Sequence, residues 1–96
     1  MSQTKQTYKS SSLVTEAEEH APLANEDAVI LGTNVEHLRD EAGFNISEFA
    51  REANVTRPFI YKVESGLSNP RLSDMQKLAR ALGVHVVDLL MPPKDS

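Results

Sequence analysis

Residues 54–66 read NVTRPFIYKVESG and hold most of the side chains able to meet another molecule. Arg57 and Tyr61 are four residues apart and Lys62 follows, so on a helix the three share one broad face. A guanidinium such as that of Arg57 can bond guanine O6 and N7 at once, and an aromatic edge such as Phe59 can touch a thymine methyl. Lys62 can reach a base edge or a phosphate, and Tyr61 a phosphate or a sugar. Each also has an ordinary structural reading. Arg57 and Lys62 fit solvated charges, Tyr61 and Phe59 fit partial burial, and Pro58 fits the stiff start of a helix.

Other chemistries find no support. His20, His37 and His85 lack the spacing of a zinc site, and the chain has no cysteine, so thiolate ligands and disulfides are excluded. No phosphate-cradling glycine loop and no serine in a nucleophile-elbow context occur. Carboxylate pairs such as Asp40-Glu41 fit a solvated helix face. We therefore expect no enzyme activity, no cofactor and no metal. No run approaches the roughly 18 apolar residues of a membrane span, and no signal-peptide core follows the N-terminus. The expected location is cytoplasmic.

The elements that position these side chains follow from helical periodicity. Asn25 is expected to cap a first helix, with Glu26 and Asp27 in its first turn. Leu31, Val35, Leu38 and Ala42 form its apolar stripe. Gly32 weakens its start, so a beginning later than residue 26 is allowed. Gly43 stops it. Asn45 opens a second helix with Glu48 three residues on, a capping-box pattern, and Phe49, Ala50 and Ala53 line its inner side. Asn54 suits a left-handed turn. Thr56 caps a third helix whose second position is Pro58, where the missing N–H costs nothing. Val55, Ile60 and Val63 face inward, and Gly66 ends the element. A fourth helix, LSDMQKLARAL, buries Leu72, Met75, Leu78, Ala79 and Leu82. After Gly83, VHVVDLL carries Val84, Val87, Leu89 and Leu90 back to the core.

The expected fold class is all-α, a compact bundle of four to five short helices. With 96 residues the chain suits one small domain. Residues 1–24 are polar, aperiodic and read as a disordered or weakly ordered tail. Residues 25–92 form the domain, and 93–96 a C-terminal tail. The net charge of −4 argues little against nucleic acid once divided, because most of it lies in residues 1–28. Residues 56–71 carry Arg57, Lys62 and Arg71 against Glu64 alone.

Two short capped helices joined by a tight turn, 45–53 and 56–65, make a helix-turn-helix pattern. On periodicity alone a plain αα-hairpin stays open. Residues 31–90 also resemble the phage-repressor/Cro family of helix-turn-helix domains, also called the xenobiotic-response-element type. The resemblance is carried by LGTNVEHLRDEAGF, SEFAREANVTRPFIYKVESG and NPRLSDMQKLARALGVHVVDLL, with Ala50, the Asn54-Val55-Thr56 turn, VESG, Pro70 and LARALGV at the family's spacing. It implies a sequence-specific DNA-binding transcriptional regulator, a repressor in our reading, that binds an operator as a homodimer. Base contacts would come from Thr56, Arg57, Pro58, Phe59, Tyr61 and Lys62. Phosphate contacts would come from the helix start at Asn45 and Ile46 and from Ser65, Ser68, Asn69 and Arg71. The family often carries glutamine where Ile46 stands, which leaves the backbone to make that contact. Positions matching Arg39 and Glu64 form a structural salt bridge in the family. An alternative function is the antitoxin of a toxin–antitoxin pair, with the N-terminal tail holding a protein partner. Val86, Leu90 and Met91 are the first candidates for a dimer surface.

Overall fold

A computed structural model describes residues 26–93, which form five α-helices: α1 (Glu26–Ala42), α2 (Ile46–Ala53), α3 (Arg57–Glu64), α4 (Leu72–Leu82) and α5 (Val86–Leu90). Among the described residues there is no strand. The reading of residues 1–24 as a tail and the Asn25 cap lie outside them.

Short-range chemistry sets most boundaries. The Asn45 side chain accepts from Glu48 N at 2.7 Å, and the Glu48 carboxylate accepts from Asn45 N at 3.0 Å. This reciprocal pair starts α2. Asn54 ends it at φ +60°, in the left-handed region that asparagine tolerates. The Thr56 hydroxyl accepts from Phe59 N at 3.2 Å and starts α3. Gly83, at φ +72°, ends α4.

The core lies where the five helices converge. Val35, Phe49, Ile60, Val63, Leu78 and Leu89 are fully buried in it, each burial contributing about 1.5–3 kcal/mol. Phe44 and Phe49 stack with ring centroids 5.9 Å apart, which fixes the link between α1 and α2. A third tie is polar. The Asn34 amide on α1 donates to Leu89 O at 3.0 Å and Met91 O at 2.7 Å. It thereby satisfies carbonyls left open at the end of α5.

Four expectations about the core need correction. Ala42 is exposed, because it lies on the last turn of α1, beyond its packed part. Leu72, expected inside, is 59% exposed. It occupies the first position of α4, and helical side chains lean toward the N-terminus, here past the end of the helix. Val87 is 58% exposed and Leu90 is exposed too. A five-residue helix has one inner side, and Leu89 and Val86 take it. Gly32 does not delay α1, which is helical from Glu26.

Candidate nucleic-acid interface

The surface is built on α2 and α3, and its geometry begins on the hidden side of α3. Ile60 and Val63 are fully buried there. Gly32 lies against the end of α3 so closely that a Cβ built on it would stand 2.4 Å from Val63 O and 3.0 Å from Glu64 O. No side chain fits there. The glycine costs α1 about 1 kcal/mol of helix propensity relative to alanine, and in return the backbones of α1 and α3 can touch.

Arg39 clamps the same seam. Its Nε donates to Glu64 Oε2 at 2.7 Å and its Nη2 to Glu64 Oε1 at 3.1 Å. Its Nη1 donates to Phe44 O at 2.9 Å. Both side chains are largely shielded, at 15% and 12% exposure, so the two-pronged bond is little weakened by water. The hydrogen bond that Arg39 donates to Glu64, helped by the carboxylate's charge, raises the Arg39 pKa above its ordinary value, against desolvation. A raised folded-state pKa contributes stability that is complete below the unfolded-state value and is lost only as pH climbs through the strongly alkaline range. Arg39 is therefore charged at every physiological pH. The structural pair that the family resemblance implied is present.

The opposite side of α3 is bare. Arg57, Pro58, Tyr61 and Lys62 are exposed, Tyr61 by 58%. Pro58 sits in the first turn, where it displaces no helical hydrogen bond. Thr56 is exposed as well, with its oxygen engaged as the cap. Phe59 is half-buried and packs against the core, so its structural reading holds for much of the ring. Arg57 reaches back across the turn, and its Nη1 donates to Ser47 Oγ at 3.3 Å. The two helix starts, Asn45–Ser47 and Thr56–Arg57, are thus brought together.

At the start of α2, the amides of Asn45 and Glu48 are used in the capping box. That leaves the Ile46 and Ser47 N–H groups for an outside acceptor. The Ile46 side chain packs on the core. The Glu48 carboxylate beside these amides opposes an anion, and the Arg57 guanidinium on Ser47 offsets it. Beyond α3, Ser65 Oγ donates to Lys62 O at 2.8 Å. Asn69 and Arg71 are exposed. Ser68 is not available: it is 7% exposed, turned into the fold within a loop that packs near Ala28, Leu31 and Met75. This burial counts against the phosphate contact expected of it.

Sequence reasoning misses the structural roles of three residues. Ser47 has no distinguishing pattern and is found only through Arg57. Asn34 acts on α5, more than fifty residues away. Gly32 did leave a signal, since a glycine inside a helical stripe costs helix propensity, but its close approach to α3 is seen only in the fold. Among the described residues, no group of three or more His, Cys, Asp or Glu is placed to hold a metal ion, and no helix is long and apolar enough to cross a membrane.

The helix-turn-helix family model HTH_3 matches residues 35–89, which run from mid-α1 to the end of α5. The chain belongs to the HTH_3 family. A hypothetical transcription factor of Neisseria meningitidis serogroup B is 35% identical over 66 residues, covering 69% of this chain and 62% of that protein. The transcriptional regulator SinR of Bacillus subtilis is 31% identical over 62 residues, covering 64% of this chain and 56% of its own length. The chain thus spans less than two thirds of either relative. Among solved structures, the Neisseria factor NHTF superposes with a TM-score of 0.68 at 33% identity, covering 75% of this chain and 83% of that one. SinR in complex with DNA gives a TM-score of 0.61 at 31% identity, covering 64% of this chain and 98% of that one. HTH_3 membership supports a DNA-binding transcriptional-regulator role for this domain.

Proposed function

We propose that the protein is a repressor that binds an operator as a homodimer, with α3 of each copy in the major groove. The observation that carries this reading is the division of α3. Its inner side is locked to α1, while Arg57, Pro58, Tyr61 and Lys62 are exposed on the outer side. Arg57 bonds guanine with the guanidinium N–H groups that Ser47 leaves free. Lys62 reaches a second base edge or a phosphate, and Tyr61 a phosphate or sugar. Pro58 and the open edge of Phe59 supply apolar contact. The amides of Ile46 and Ser47 meet one phosphate, and Ser65, Asn69 and Arg71 meet the backbone beyond the other end of α3. SinR has been solved in complex with DNA, which supports DNA as the partner of this chain.

Two copies would address half-sites about 34 Å apart, one turn of DNA. Val87, Leu90 and Met91 are exposed at the α5 end and supply an apolar face for pairing. Selection of duplexes from a random pool, followed by footprinting, tests the proposal. A two-fold symmetric site with that spacing is expected, bound at least roughly a thousandfold more tightly than random DNA. Equal binding of selected and random duplexes would reject sequence-specific regulation. The antitoxin alternative uses the same DNA surface and differs in giving residues 1–24 a protein partner. A stoichiometric partner that is lost when residues 1–24 are deleted would select it.

A further inference from the structure

One side-chain contact joins the two helices of the helix-turn-helix on the DNA side, the 3.3 Å bond from Arg57 Nη1 to Ser47 Oγ. An exposed arginine otherwise samples many rotamers, and fixing it on binding costs conformational entropy. We infer that Ser47 is a positioning residue for sequence readout: its hydroxyl holds the Arg57 guanidinium across the turn and aims the remaining N–H groups at one base pair. The inference rests on the reading of α3 as the recognition helix.

The chemistry permits this division of labour. A guanidinium has five N–H donors, and one bond to Ser47 leaves four, including a complete two-pronged edge for guanine. Ser47 lies at the second position of α2, where its hydroxyl is not needed as the cap, because Asn45 performs that task. Its partner Arg57 is the first residue of α3, and no other side-chain bond of that arginine occurs among the described residues. Ile46, the neighbour of Ser47, is apolar and turned to the core, so it cannot orient Arg57. Ser47 acts through Arg57 and need not touch the base itself.

The test compares the full chain with Ser47→Ala, Ser47→Thr, Arg57→Ala and the Ser47→Ala/Arg57→Ala double variant. Each is titrated with the selected operator and with the same duplex changed at the one base pair where Arg57→Ala abolishes discrimination. Ser47→Ala should lower discrimination at that pair by roughly three- to tenfold, the value of one hydrogen bond. Ser47→Thr should restore it. In the Arg57→Ala background the serine change should have no further effect, and melting temperatures should match throughout. Additive losses, or an equal loss on every sequence, would overturn the inference, because Ser47 would then be a plain backbone contact. If Arg57→Ala itself alters no base preference, the recognition-helix reading fails, and the positioning role with it.

Discussion

The two sides of α3 have opposite physical characters. The inner side is fixed by three independent means: full burial of Ile60 and Val63, backbone contact at Gly32, and the Arg39–Glu64 pair with its extra bond to Phe44 O. The outer side has long polar and aromatic groups, one exposed hydrogen bond to Ser47 and little burial. Interactions that resist water are placed where rigidity is needed. Interactions that exchange readily with water are placed where a partner must replace it. The proposed recognition surface is thus made precise from behind. An exposed face cannot order itself, so its geometry is inherited from the seam with α1.

That division can be broken by substitution, and the effects should fall in a definite order. Glu64→Ala leaves the shielded Arg39 guanidinium without its partner and should cost about 3 kcal/mol of stability, read by urea unfolding. DNA specificity of the remaining folded protein should change less than its stability. Gly32→Ala places a methyl against Val63 O and should cost about 2 kcal/mol despite the better helix propensity of alanine. The gap between α1 and α3 would have to widen, so this variant should also shift the α3 amide resonances. Arg57→Ala should leave unfolding unchanged and cost about 1–3 kcal/mol of discrimination at one base pair, measured by titrating single-pair operator variants. Thr56→Ala removes the cap of α3 and should cost about 1 kcal/mol of stability. Arg71→Ala should have the smallest effect on specificity. It should weaken all sequences alike and reduce the slope of log affinity against log salt by about 0.9.

How far this could be read from sequence depends on how local each interaction is. The starts of α2 and α3 are legible because Asn45, Glu48 and Thr56 act within three residues of themselves. The left-handed turn at Asn54 is legible for the same reason. Arg39 and Glu64 lie 25 residues apart, so no periodicity joins them, and only family resemblance suggested the pair. Ser68 misleads because polar loop residues usually face water, while this loop folds back near α1. Leu72 and Val87 mislead because an apolar side chain at helical spacing is buried only where another element covers it. Ser47 was invisible because its importance belongs to the arginine ten residues away.

The outer face of α3 is expected to meet DNA while its inner face stays unmoved. Mapping amide chemical shifts of the full chain during titration with its selected operator tests this most directly. The largest changes are expected at Ile46, Ser47 and Thr56–Lys62, with smaller ones at Ser65, Asn69 and Arg71. His37, Asp40 and Glu41 on the exposed side of α1 should stay still. Changes concentrated on that side of α1, with α3 silent, would contradict it.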